Sequence, residues 1–228
     1  MPLTALEFAR MLDCTLTHPT ATLEEVYALV AAAKKYHIHT VLGPRCFNEL
    51  IAQEVQGTNT LPCSGCSATL GHDPTEVKVF HAKLAVSQGM REIDMVMNLC
   101  YLKSGMYEDV VRDVRSVKEA VGQDVPLKCI IEAPLLDDGE IATASKLAVE
   151  GGVDFVKTAS GLRGATTVHH VEVIRQAIGS AARIKAASGI RDAETVEAMV
   201  EAGVDRFGIS LAHALNIIRE LEGDPKIR

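Results

Sequence analysis

The chain has 228 residues, 47% of them hydrophobic and 23% charged, and carries a formal net charge of −7. That length and apolar content suit one large core of the size of a single α/β barrel, and basic residues spread along an acidic chain exclude the concentrated basic face that nucleic-acid binding needs. No apolar run is long enough to span a bilayer, and MPLTALEFARMLD has neither the basic nor the apolar region of a signal peptide, so no membrane partner and a cytoplasmic location are expected.

Apolar runs of strand length alternate with amphipathic stretches, the pattern of parallel strands covered by helices. The first half reads as strand Met11–Cys14, helix Leu23–Tyr36, strand Ile38–Leu42, helix Phe47–Val55, strand Leu61–Cys66, helix Thr75–Gln88, strand Glu92–Met97 and helix Tyr107–Val121. The second half continues with strand Leu127–Glu132, helix Asp138–Glu150, strand Phe155–Thr158, helix Val168–Ile178, strand Arg183–Ala186, helix Ala193–Glu201, strand Arg206–Ile209 and helix Ala212–Leu221. Many of these helices open on Asp, Thr or Pro, as capping requires. Eight such units close into a single (β/α)8 TIM barrel of class α/β. With no Ser/Gly-rich linker or charge run, one domain over 1–228 is expected.

Cys14, Cys46, Cys63, Cys66, Cys100 and Cys129 are scattered and are expected to stay reduced. Cys63-Ser-Gly-Cys66 has CxxC spacing, but no second CxxC or HxxxH completes a metal set and the segment reads as a strand, so small buried thiols are expected.

Three lysines stand inside apolar strands: Lys128 in PLKCIIE, Lys157 in VDFVKTASG and Lys185 in ARIKAASGI. Burying an ammonium costs several kcal/mol unless it is paired or loses its proton. Crowded by a second cation and partly desolvated, a lysine becomes a neutral amine that attacks carbonyls. Strand alternation puts Lys128, Ile130 and Glu132 on one face, and likewise pairs Phe155 with Lys157 and Arg183 with Lys185. A weak repeat, SQGMREID, EGGVDFVK and EAGVDRFG, sets a helix-ending glycine five residues before Asp94, Lys157 and Gly208, which predicts equal heights on their strands. A carboxylate at Asp94 would then stand beside the amines, able to hold a water or relay a proton. Glu132 is expected to balance charge lower in the barrel, and His72 to lie in a loop.

Glycine and serine recur at the last strand ends: Ser160-Gly161, Ser188-Gly189, and Gly208-Ile209-Ser210 before a helix. Glycine lets backbone N–H groups approach an anion and a helix N-terminus adds a favourable dipole, so this cluster suits a phosphate.

LDCTLTHPTAT, PTEVKVFHAKLA, EIDMVMN, LKCIIEAPLL, DFVKTASG, IKAASGIRD and RFGIS together make the chain resemble the 2-deoxyribose-5-phosphate aldolase family, class I aldolases on a TIM barrel. The pairing of KTxxG with KAxxGIR is the most specific part of this likeness. The resemblance implies Lys157 as Schiff-base nucleophile, Lys185 as the cation that lowers its pKa, and Asp94 and Lys128 as helpers of proton transfer through water. It further implies Gly161, Ser188, Gly189, Gly208 and Ser210 around the phosphate, with Thr15 and Thr158 as substrate contacts. The reaction implied is reversible cleavage of 2-deoxy-D-ribose 5-phosphate to glyceraldehyde 3-phosphate and acetaldehyde, without metal or organic cofactor, in a homodimer.

The chain departs from that family's pattern at several points. Leu42 stands where a cysteine is usual, Ala68 where a phenylalanine is usual, Ser188 at a usual glycine and Leu211 at a usual second serine; the tail GDPKIR lacks a C-terminal tyrosine. These changes leave the amine chemistry and favour, as an alternative, a different or unphosphorylated hydroxy-aldehyde. A third reading, from another class, is a barrel that binds a sugar phosphate without catalysis.

Overall fold

The computed structural model describes residues 3–68 and 70–223; Thr69 of the CSATLG segment and the tail beyond Gly223 lie outside them. Eight parallel strands close into a barrel in sequence order: β1 Leu12–Thr15, β2 Thr40–Leu42, β3 Leu61–Cys66, β4 Glu92–Val96, β5 Leu127–Ile130, β6 Phe155–Lys157, β7 Arg183–Ala187 and β8 Arg206–Ser210. The expected (β/α)8 barrel is the fold. Among the described residues, no helix is long and apolar enough to cross a membrane.

The helices are α1 Ala5–Arg10, α2 Leu23–Tyr36, α3 Asn48–Glu54, α4 Thr75–Ser87, α5 Leu99–Lys103, α6 Tyr107–Val121, α7 Asp138–Glu150, α8 Val168–Ile178, α9 Ala193–Glu201 and α10 Leu211–Leu221. Thr22, Asp137, Thr167 and Asp192 cap α2, α7, α8 and α9 with side-chain hydrogen bonds. Sequence periodicity misses two short helices, which owe their starts to caps rather than to an apolar stripe. Thr4 and Glu7 form a capping box on α1, and Asn98 accepts hydrogen bonds from the amides of Cys100 and Tyr101 on α5. α1 also brings Phe8 to 5.9 Å from the ring of Phe207 on β8.

Outward-facing strand residues such as Val41, Met95, Cys129, Val156, Ile184 and Phe207 are fully buried against the helices, which places the apolar core between sheet and helix ring. Cys63 and Cys66 fall on opposite faces of β3: one thiol approaches Asp94 in the lumen, the other the carbonyl of Lys78 on α4. They cannot act together as a dithiol.

Inward positions form layers because each strand is staggered along its neighbour. Following the register around the barrel gives a lower layer of Thr40, Glu92, Phe155 and Arg206, and a middle layer of Asp13, Cys63, Lys128 and Lys185. Above them come Leu42, Asp94, Lys157 and Gly208, then Thr15, Gly65, Ile130 and Ala187 at the C-terminal mouth. Asp94, Lys157 and Gly208 therefore share one height, as the glycine repeat predicts.

Candidate active site

A TIM barrel normally packs its lumen with branched apolar side chains. Here the lower three layers hold four cations, Lys128, Lys157, Lys185 and Arg206, against three carboxylates, Asp13, Glu92 and Asp94. Lys128 Nζ lies 2.9 Å from Asp94 Oδ1, 3.1 Å from Asp13 Oδ2 and 2.5 Å from Glu92 Oε2. Lys185 Nζ lies 2.5 Å from Asp13 Oδ2 and 2.8 Å from Asp94 Oδ2. Arg206 ties Asp13 and Glu92 together below them. Closely paired charges of this kind offset the desolvation that each would suffer alone.

Depth distinguishes the lysines. Lys128 and Lys185 are 0% exposed in the middle layer, whereas Lys157 stands one layer higher, 5% exposed, at the floor of the cavity. Its Nζ donates to Asp94 Oδ2 at 2.8 Å. Burial pushes the pKa of Lys157 down, Asp94 opposes this, and the Lys185 and Lys128 ammoniums add to the lowering, with a net fall below the ordinary value. For Lys128 burial also acts downward, but Asp13, Asp94 and the groups beside them outweigh it and hold its pKa well above the usual range. Lys128, expected from sequence to help move protons, is held charged beside Asp94 Oδ1. Asp94 is fully buried, yet Lys128, Lys157 and Lys185 keep its carboxyl well below the carboxylate range.

Lys157 separates two adjoining cavities at the mouth. One, of about 430 Å³, is lined by Thr15, Gly161, Ser188, Gly189, Gly208 and Ser210 from the sequence reading, and by Arg191 and His213, which that reading missed. Ser210 precedes α10, and its hydroxyl lies 3.0 Å from His213 Nδ1. The i,i+3 spacing of Ser210 and His213 at a helix start was the available signal. The second cavity, of about 290 Å³, is largely apolar, with Leu42, Val96 and Ile130 in its wall and Asp94 and Lys157 in its floor.

Two expected positions differ. Thr158 faces away from the lumen, fully buried, with its hydroxyl 2.7 Å from Thr166 Oγ1 and accepting the amide of Ala187; it lines neither cavity. Glu132 does not balance charge low in the barrel: it lies past the C-terminal end of β5 in the left-handed conformation, at φ 54°, and accepts the amide hydrogen of Ser160. Strand alternation stops at that turn, and Glu92 fills the low position. Asp13, Glu92 and Arg206 complete the cluster and are absent from the sequence expectation, although each, like the three lysines, is a charged residue in an otherwise apolar strand. His72 lies in the loop before α4, as expected.

The family model described as DeoC/LacD family aldolase matches residues 65–214. The chain belongs to this aldolase family. It is 36% identical over 220 residues to deoxyribose-phosphate aldolase of Staphylococcus carnosus, spanning 96% of this chain and 99% of that protein. To the same enzyme of a Thermoanaerobacter species it is 39% identical over 208 residues, covering 90% and 93% of the two chains. The structure of deoxyribose phosphate aldolase from Aeropyrum pernix, described as a unique tetramer, superposes with a TM-score of 0.87 at 28% identity, over 96% of this chain and 92% of that one. In this aldolase the charged lumen lies under a mouth bordered by Leu42, Ala68 and Ser188.

Proposed function

We propose that the chain is a class I aldolase that reversibly cleaves 2-deoxy-D-ribose 5-phosphate to glyceraldehyde 3-phosphate and acetaldehyde, with Lys157 as the Schiff-base nucleophile. The observation that carries this reading is Lys157 at the cavity floor, its pKa lowered, above two wholly buried lysines. Four cations against three carboxylates leave one positive charge in excess, and loss of the Lys157 proton removes it. The neutral amine attacks the aldehyde carbonyl and water leaves; as the β-hydroxyl then gives up its proton and becomes an aldehyde, the bond between the α and β carbons breaks and its electrons pass to the protonated imine, forming the enamine. Asp94, within hydrogen-bond reach of the reacting nitrogen, is placed to hold a water or pass a proton at the carbinolamine and enamine steps. Lys185 and Lys128 position Asp94 and keep the field at Nζ positive.

The polar cavity supports a phosphate at the far end of the substrate. Gly161, Ser188, Gly189, Gly208, Ser210 and Thr15 offer small side chains and backbone, the start of α10 adds its dipole, and the Arg191 guanidinium and the His213 ring add donors, with no carboxylate among the described lining residues. Incubation with 2-deoxyribose 5-phosphate and borohydride should attach substrate mass to Lys157, and Lys157→Leu should lose retro-aldol turnover. Activity persisting in that variant, without trapping in the parent, rejects the assignment.

We also assign the protein to one domain over 1–228, to the cytoplasm and to a homodimer. A stripe on one side of α4 supports the dimer: Val77, Phe80 and Leu84 are exposed at helical spacing. Sedimentation of Phe80→Glu should show monomer where the parent shows dimer.

A further inference from the structure

We propose that Glu132 is a positioning residue of this active site: its buried carboxylate holds the segment Ser160–Leu162 as the wall between the two cavities and so sets how tightly the anionic end of the substrate is bound. This rests on the aldolase reading above and adds to it a side chain that lines neither cavity.

Glu132 combines features that a turn after β5 does not by itself need. It is 2% exposed, although a buried carboxylate is costly unless it is hydrogen-bonded. Its backbone is left-handed, at φ 54° and ψ 51°, where a Cβ is disfavoured and glycine is the ordinary choice. Glycine would serve the turn alone. What it would lack is the reach of the side chain, whose Oε1 accepts the amide hydrogen of Ser160 at 2.9 Å.

That bond is the last of three by which the chain after β5 grips the end of β6. The amide of Ile131 donates to the Lys157 carbonyl at 2.9 Å, and the amide of Ala133 donates to the Thr158 carbonyl at 2.7 Å. Both are main-chain bonds and do not depend on the side chain at 132. The third does. Among the described residues, the one hydrogen bond from Ser160–Leu162 to another part of the chain is the bond to Glu132; the Leu162 amide donates only locally, to Ser160 Oγ. Further along, β7 takes over: the Thr166 amide donates to the Ser188 carbonyl at 3.1 Å, and the Ser188 hydroxyl donates to the Gly164 carbonyl. Gly164 also lies against the turn that follows Glu132, since a Cβ there would stand 2.8 Å from the Cβ of Pro134.

The wall so held is shared unequally. Ser160 and Leu162 line both cavities, whereas Gly161, Gly164 and Ala165 line the polar one alone. Freeing Ser160 therefore removes more fixed surface from the polar cavity, and the loss falls on the phosphate end of the substrate. A wall ordered before the ligand arrives spares the ligand that ordering, which is how a residue outside the cavity strengthens binding. Lys157, gripped at its own carbonyl by Ile131, keeps its place, so attack on the carbonyl carbon is spared.

Glu132→Gln keeps an acceptor oxygen, Glu132→Ala removes it, and Glu132→Gly removes it while relieving the left-handed backbone. KM for 2-deoxyribose 5-phosphate should stay within about threefold of the parent in Glu132→Gln and rise about tenfold in both Glu132→Ala and Glu132→Gly, with kcat changed less than about threefold. Borohydride should still trap acetaldehyde on Lys157 in all three. In thermal melts Glu132→Gly should lie above Glu132→Ala and yet share its KM defect. A KM defect that glycine cures assigns the effect to backbone strain and overturns the proposal. A parent-like KM in Glu132→Ala, or a Glu132→Gln as impaired as Glu132→Ala, overturns it too. Calorimetry of 2-deoxyribose 5-phosphate binding in the Lys157→Leu background, with and without Glu132→Gly, repeats the comparison without chemistry. A Kd raised about tenfold sustains the role of Glu132 even where the parent traps no acetaldehyde and the aldolase reading falls; an unchanged Kd overturns that role and leaves the aldolase reading standing.

Discussion

Lys157 and Lys185 donate to the same atom, Oδ2 of Asp94, each at 2.8 Å. Two ammoniums on one carboxylate oxygen repel each other, and the one nearer the mouth can shed its proton to the cavity. The charge of the layer below thereby tunes the amine above it. The basicity of the Lys157 amine is a property of the pair rather than of Lys157 alone.

Lys185→Leu removes one of the groups that depress the Lys157 pKa. The amine should then deprotonate only at higher pH, so the rising limb of kcat/KM against pH should move upward. Activity at pH 7 should drop about 100-fold or more and recover partly in alkali. A pH–rate profile with an unmoved limb would contradict this coupling.

Lys157→Leu and Lys128→Leu should differ in stability. The first leaves Asp94 paired with Lys128 at 2.9 Å and Lys185 at 2.8 Å and removes the excess lumen charge, so urea unfolding should show unchanged or higher stability without activity. The second strips a cation from among Asp13, Glu92 and Asp94 and should cost about 3–5 kcal/mol.

Acid should unfold the protein through its lumen. Burial opposes ionisation of Glu92, but the His39 ring, with Nε2 3.6 Å from Oε1, and the charge of Lys128 outweigh it and hold the pKa at about 2, below the ordinary 4.5. A depressed carboxylate contributes stability that is present above the unfolded value and lost as pH falls through the folded one. Between pH 4.5 and about 2 the contribution of Glu92, on the order of 3 kcal/mol, should disappear. Thermal melts across that window should fall more steeply for the parent than for Glu92→Gln.

Ser188 sits at φ 80°, a left-handed conformation that Cβ disfavours, and donates its hydroxyl to the carbonyl of Gly164. Ser188→Gly and Ser188→Ala both lose that bond, but only glycine relieves the backbone. Ser188→Gly should be the more stable of the two by about 1 kcal/mol in equilibrium unfolding.

His213→Ala should raise KM for 2-deoxyribose 5-phosphate about five- to tenfold with little change in kcat, because it withdraws a donor from the distant end of the substrate and not from the imine. The unphosphorylated sugar should show no such change. Equal losses on both substrates would place His213 outside the anion site.

Legible in the residues alone were the order of the eight strand–helix units though not the short α1 and α5, the closed barrel, the inward direction of Lys128, Lys157 and Lys185, and the common height of Asp94, Lys157 and Gly208. Each of these follows from a period of two along a strand or from a fixed count after a helix-ending glycine, and both are local. The folded barrel was needed to show which lysine reaches the cavity, that Asp13, Glu92 and Arg206 complete the charge cluster, and that Lys128 is held charged. It also moved Glu132 out of the lumen, turned Thr158 away from the cavities, and brought Arg191 and His213 to the anion side. Partners inside a barrel are chosen by the stagger between strands and by the turns that end them, and neither leaves a mark in a single strand's residues.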